Sequence, residues 1–273
     1  MFQFIGDEEE LKWFYNNIFI QPEIGESYLA TLAARNKALT EEERVKYKLG
    51  RSEMMRSEIL HAHKEGIISW EEFFAFSKRF NFDEGSMLTK SNLPYPVKSL
   101  VFYFYINPSS ERKVSDNVMN YIISTERELF GSYEKNYKEG IKEGMYKLSK
   151  ISYISKSLHA QSISRKNYID FDLDADPNFL IKNYNEFYDT ILSMYKKGSF
   201  FISQTKGGWH ILVKTSEIKS NPNELPKKFY SVFEAHNSKE LFKEMGLNSN
   251  GFFQLPGSIS RDHIVRILNK TDF

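Results

Sequence analysis

Residues Lys166 to Asp176 read Lys-Asn-Tyr-Ile-Asp-Phe-Asp-Leu-Asp-Ala-Asp, and no other stretch restricts the fold of this chain as much. Tyr168, Asp170, Asp172 and Asp174 alternate with Ile169, Phe171 and Leu173, the two-residue period of a strand with one apolar face and one acid face. Neighbouring carboxylates on one strand repel each other, so the pattern predicts a cation between Asp170 and Asp172, which are the candidate metal ligands. A calcium loop also opens with Asp-x-Asp-x-Asp, but it needs Gly at its sixth position and Glu at its twelfth. This chain has Ala175 and Ile181 there. Asp176 before Pro177 reads as a helix N-cap followed by the first helical residue, and Asp174 reads as the end of the strand.

A chain of 273 residues forms one large domain or two small ones. Lys and Arg number 37 against 36 Asp and Glu, so no overall field draws the protein to nucleic acid, and any such contact needs a local basic patch. The absence of cysteine excludes disulfides, thiolate zinc sites and cysteine nucleophiles, and it fits a reducing interior. No segment approaches the apolar length of a membrane span, and the start, Met-Phe-Gln-Phe-Ile-Gly and then four acids, lacks the basic beginning of a signal peptide. The expectation is a cytoplasmic protein with no membrane partner. Aromatic residues fall mostly at core periodicities and are read as core.

Asp7 to Phe19 has the pattern of an amphipathic helix, and Thr40 with Glu43 and Ser69 with Glu72 form two capping boxes. Residues 1–92 are therefore expected to be a mostly helical lead-in. Within them Tyr28 to Ala34 stays open between strand and helix, and Arg35, Asn36 and Lys37 form a basic cluster. His61 and His63, two apart with no third ligand, read as a solvated pair. Ser99 to Ile106 is apolar enough for a strand buried on both faces. Asp116 to about Ser157 is helical in pattern but interrupted by Gly131, Gly140 and Gly144, and the lysines of 135–156 read as a solvated face.

Leu180, Tyr184, Phe187, Ile191 and Met194 form a helical stripe with Gly198 as its cap. Ser199–Gln204, the turn Thr205–Gly208 and Trp209–Val213 make a hairpin. Pro226–Ala235 and Ser238–Met245 read as helices, and Ile264–Leu268 as a final strand. This order predicts an α+β protein with an antiparallel ferredoxin-like or RNA-recognition-motif (RRM)-like sheet at 164–273. On the hairpin His210 projects away from the Trp209 face, beside Lys206 and Lys214. The amides of Gly207 and Gly208 are free to meet phosphate oxygens.

Hydrophobic-Asp-hydrophobic-Asp on one strand, followed about forty residues later by a glycine-flanked histidine on a hairpin, resembles the catalytic core of the archaeo-eukaryotic primase superfamily, which includes the primase-polymerases. The matching residues are Asp170, Asp172, Gly208 and His210, and Gln254-Leu255-Pro256-Gly257-Ser258 looks like its Pro-Gly element. The Ala-Ala-Arg-Asn-Lys run ending at Lys37, the run starting at Leu49 and Ile106-Asn107-Pro108 are similar to segments of phage-type members. The family usually carries a third acid before Pro-Gly, where this chain has Asn248 and Asn250, leaving Asp262 as the nearest candidate. Gln254 stands where an arginine is common.

The resemblance implies a primase-type core at 93–273 and nucleotidyl transfer from an NTP or dNTP, assisted by Mg2+ or Mn2+. It implies metal ligation by Asp170 and Asp172, with Asp262 as candidate third ligand. His210, Ser203, Lys206, Gly208 and Lys214 would bind the nucleotide, and Arg165 and Lys166 would be further phosphate contacts. The partners implied are a single-stranded DNA template, nucleoside triphosphates and a separately encoded helicase, since no Gly-x-x-x-x-Gly-Lys-Ser/Thr loop occurs. The alternative is a catalytically decayed module that binds nucleotide or nucleic acid. A replication-initiator nuclease, which needs a histidine pair on this strand, is disfavoured by the lone His210.

Overall fold

The expected mostly helical segment over 1–92 proves to be mixed. The computed structural model describes residues 2–63, 67–83, 85–133, 158–159, 161–219, 221–248 and 251–273. Helices α2 (Glu41–Tyr47) and α3 (Trp70–Lys78) begin at the capping boxes read from sequence, Thr40 and Ser69, and α1 (Glu8–Asn17) is capped by Asp7, whose side chain accepts from Glu10 N. Between them run two ten-residue strands, β1 (Glu26–Arg35) and β2 (Ser52–His61). All of β1 but Arg35 is buried, so it shows no alternation, and three alanines hide it from strand propensity.

β3 (Leu100–Tyr105) is buried throughout, as its composition predicts. It leads through β4 (Ser109–Ser110) into α4 (Glu111–Tyr133). The rest of the helical pattern expected up to Ser157, with its lysines, lies outside the described residues. The first sheet runs β2-β1-β3-β9, with β9 at Phe252–Gln254 and β4 paired to the start of β1, all antiparallel. It draws strands from both sides of the expected boundary at 92/93, so that boundary does not separate two folding units.

The second sheet is built from β5 (Tyr168–Ala175), helices α5 (Pro177–Lys182) and α6 (Tyr184–Leu192), the hairpin β6 (Phe200–Thr205) and β7 (Gly208–Lys214), α7 (Glu224–Ala235) and β8 (Phe242–Leu247). Its order is β12-β6-β7-β5-β8, with β12 at Arg266–Ile267, again antiparallel. One expectation changes here. β12 lies within the final strand expected at 264–268 and forms one edge of the sheet, whereas Ser238–Met245 is not a helix but a single 3-10 turn entering β8, the strand on the opposite edge. As an edge strand exposing Lys243, Glu244, Gly246 and Leu247, it lacks the buried alternation that marks its neighbours. The C-terminal stretch forms short strands β10 (Ile259–Ser260), β11 (His263–Ile264) and β12 (Arg266–Ile267). Asp176 caps α5, accepting from Phe179 N at 2.8 Å, so its capping role holds.

Asn107 holds the start of β5. Its Oδ1 accepts from the backbone N–H groups of Asn167 and Tyr168, and its Nδ2 donates to Tyr168 O at 3.0 Å. One face of the second sheet, carrying Phe171, Leu173, Trp209, Ile211 and Val213, packs on Leu180, Phe187, Ile191, Phe229 and Phe233 of α5–α7. The other face is divided. Tyr168, Phe201, Leu212 and Ile267 join an aromatic core with Leu11 and Phe14 of α1 and with Phe102, Phe104 and Phe253 of the first sheet. Each such burial is worth about 1.5–3 kcal/mol, and a one-residue slip of β5 would drive its aspartates into apolar packing, so the register is strongly specified. Beyond this apolar patch the same face carries the polar residues of β5 and β7. Among the described residues no helix is long and apolar enough to cross a membrane.

Candidate functional site

Asp172 lies directly opposite His210 in the β5–β7 pair, and Ser203 of β6 flanks His210 from the other side. On the far side of β5, β8 sets Gly246 opposite Asp172 and Glu244 opposite Asp174. Opposed residues in an antiparallel pair share a face, so the three aspartates, Ser203, His210 and Glu244 all project the same way. The hairpin histidine and the acid strand therefore meet, as their spacing predicts.

The two central aspartates have different environments. Asp170 is 3% exposed, and both its oxygens are engaged: His210 Nδ1 lies 3.0 Å from Oδ2 and 3.1 Å from Oδ1, and Asn248 Nδ2 donates to Oδ2 at 2.7 Å. The Asp172 side chain is 62% exposed, with Oδ1 3.7 Å from His210 Nε2. Burial by itself disfavours a charged imidazole, but Asp170, through its charge and its hydrogen bond, and Asp172 outweigh it and push His210 up to about 9. The ring is thus an imidazolium at neutral pH. In this arrangement the His210 ring lies between the two carboxylates.

Asp172, Asp174 and His210 line a cleft of about 810 Å³ between the two sheets. Arg35, Lys37, Arg44, Arg51 and Arg261 line it too, and with His210 protonated the lining carries three more positive than negative groups. The carboxylates are Asp172, Asp174 and Glu244. Arg35 donates to the Tyr103 hydroxyl at 2.9 Å, and Lys37 forms an ion pair with Asp174 across the cleft. Among the described residues, no set of three or more His, Asp or Glu side chains is drawn together closely enough to hold a metal ion on its own.

The other residues expected at the site are placed differently. Ser203 is fully buried beside His210, its Oγ without a hydrogen-bond partner. Lys206 is exposed in the β6–β7 turn and is not part of the cleft wall. Lys214 is turned away, donating to Gly198 O at 3.1 Å over the rings of Phe201 and Phe273. Gly208 is required by strand packing: at φ +152 a Cβ there would stand 1.9 Å from Leu173 O. Only Gly207 of the pair lines the cleft. Arg165 is committed to Glu26 and Glu23 through contacts at 2.6 and 2.9 Å, and Lys166 is exposed outside the cleft lining. Asp262 sits at the tip of the β10–β11 turn, also outside the lining, and does not supply a third acid there.

His61 and His63 are exposed and paired with Glu111 and Glu72, in keeping with the solvated reading. Gly257 of the Pro-Gly element is wedged under α1, where a Cβ would lie 2.3 Å from Asp7 O. Its carbonyl accepts from Gly6 N and Asp7 N. Among the charged residues of the cleft, sequence reasoning gave no site role to Arg35, Lys37, Arg44, Arg51, Asp174, Glu244 or Arg261. For the arginines on the first-sheet side the available signal was the basic cluster at Arg35–Lys37, while Glu244 and Arg261 carried none. Comparison with protein-family models, with curated proteins and with solved structures finds no match for this chain.

Proposed function

We propose that this protein is a template-dependent nucleotidyltransferase of the primase or primase-polymerase type, acting on nucleoside triphosphates with Mg2+ or Mn2+ on a single-stranded DNA template. The observation that carries this reading is the meeting of Asp172 and protonated His210 on the floor of a cleft whose other walls bear five arginine or lysine side chains. The cleft's size falls in the range of small-molecule sites, roughly 300–1,000 Å³, and its charge suits a polyphosphate.

The donor set fits a hard divalent ion. Mg2+ ordinarily binds through one or two carboxylates together with substrate phosphates; Asp172 would provide one, and Asp174 a second once Lys37 turns from it to the phosphates. Such ions, when bound, stabilise the attacking and leaving oxygens of an in-line displacement. Asp170 has a different task from the one its spacing implies: it keeps His210 charged and oriented. His210 then presents an N–H toward the cleft to a phosphate oxygen, and Arg35, Lys37 and Arg261 offset the rest of the triphosphate charge.

One observation favours a second reading, a nucleotide- or nucleic-acid-binding module without turnover. Both oxygens of Asp170 are already occupied by His210 and Asn248. Primer synthesis on single-stranded DNA with Mn2+ separates the two. The wild type should give product, whereas Asp172→Asn and the double variant Asp170→Ala/Asp172→Ala should give none. Equal product from all three would remove these aspartates from the mechanism, and no product from any would favour the binding module.

A further inference from the structure

Arg261 is a buried charge with no ion-pair partner among the described residues. It is only 8% exposed, yet its Nε has no hydrogen-bond partner, and among the described residues no carboxylate lies within ion-pairing distance of its guanidinium. Burying an uncompensated guanidinium is costly. The backbone holds it there against preference as well. Arg261 and Asp262 are the two central residues of the β10–β11 turn, with Ser260 paired to His263 and φ of +51 and +65, a conformation that Asn-Gly pairs adopt far more readily than Arg-Asp. The turn is anchored, since Arg261 N donates to Leu100 O at 2.8 Å and the preceding Gly257 is wedged beneath α1. Its side chain lines the cleft, within electrostatic reach of Arg35, Asp172 and Asp174. A strained turn, a rigid mount and an unpaired buried cation aimed into a cleft are together the marks of a side chain held ready for an anion.

We propose that Arg261, together with Arg35 of the same cleft, forms a phosphate seat that takes the polyphosphate end of a nucleotide in the absence of any metal ion. The identity of the ligand rests on the nucleotidyl-transfer reading, whereas the anion seat itself stands on the geometry. Two guanidiniums in a cleft with surplus positive charge call for concentrated negative charge. A terminal phosphate carries nearly two charges at neutral pH, whereas a backbone phosphodiester carries one.

The test uses the full chain in EDTA, with sodium tripolyphosphate as probe, read by calorimetry and by the shift in melting temperature. The wild type should bind and be stabilised. Arg261→Met, which removes the buried charge and keeps an apolar stem, should bind at least about tenfold more weakly, as expected for loss of a charge-assisted contact. Arg35→Gln should show a loss of the same order, and it carries the reading if Arg261→Met does not fold. Lys182→Gln, on the exposed side of α5, should bind like the wild type. A short single-stranded oligodeoxynucleotide without terminal phosphates should not displace tripolyphosphate at equal concentration. Displacement would assign the seat to a nucleic-acid backbone and overturn the proposal. Unchanged binding in both arginine variants, or no binding by the wild type, would overturn it too. Neither metal nor template is present, so the seat can be established while primer synthesis is absent, and can fail while primer synthesis occurs.

Discussion

Replacing Asp170 by asparagine should change how the protein's stability depends on pH, because Asp170 is the main reason that a buried histidine stays charged. His210 has an ordinary value of 6.5 and is pushed up to about 9 in the fold. That difference corresponds to about 3 kcal/mol of linked stability. The folded value lies above the unfolded one, so this contribution is complete below about pH 6.5 and fades as the pH rises through about 9. In Asp170→Asn the carboxylate charge is gone, and His210 must either be buried charged without its counterion or give up its proton. The variant should therefore be less stable than the wild type by about 3 kcal/mol near pH 6, and the deficit should shrink toward pH 10. A pH-independent remainder of about 1 kcal/mol is expected from the weakened hydrogen bond to Asn248. Urea unfolding followed by tryptophan fluorescence can measure this, since Trp209 is fully buried on β7 next to His210. A deficit of the same size at both ends of the pH range would refute the account of His210 as an imidazolium held by Asp170.

Further substitutions separate structure from chemistry. Gly208→Ala places a Cβ 1.9 Å from Leu173 O and should cost several kcal/mol or prevent folding, whereas Gly246→Ala, with nothing within 4 Å of its new Cβ, should leave the melting temperature nearly unchanged. Asp172→Asn alters a side chain that is 62% exposed, so its stability should stay within about 0.5 kcal/mol of the wild type while primer synthesis is lost. Asn107→Ala strips the partners from the backbone groups at the start of β5 and should cost about 1–3 kcal/mol in chemical denaturation. Lys37→Gln removes an exposed ion pair with Asp174 and should cost less than about 1 kcal/mol, the difference disappearing at high salt.

The parts legible in the sequence were those with a local signal. Alternation in β5, a glycine turn between β6 and β7, capping boxes at Thr40 and Ser69 and the stripe through Phe187 and Ile191 each express a backbone period or a hydrogen-bonding demand within a few residues. Elements governed by their surroundings were left open, as β1 was, or misread, as β8 was. β1 is buried on nearly every residue and alanine-rich, and β8 is an exposed edge that becomes a strand by pairing with β5. Lys206 and Lys214 flank His210 in sequence, yet one is left in an exposed turn and the other lies over Phe201.

By itself the sequence determined that β5 has an acid face, that His210 projects opposite Trp209, and that a glycine turn joins the hairpin, because side-chain direction along a strand alternates whatever the strand packs against. Only the tertiary structure decided which charges meet. Arg35, Lys37, Arg44, Arg51 and Arg261 come from distant points of the chain and reach one cleft because two sheets share an aromatic core through α1. The same packing buries Asp170 and leaves Asp172 open, so two aspartates that look equivalent on paper differ in environment: one orients a histidine and the other faces the cleft.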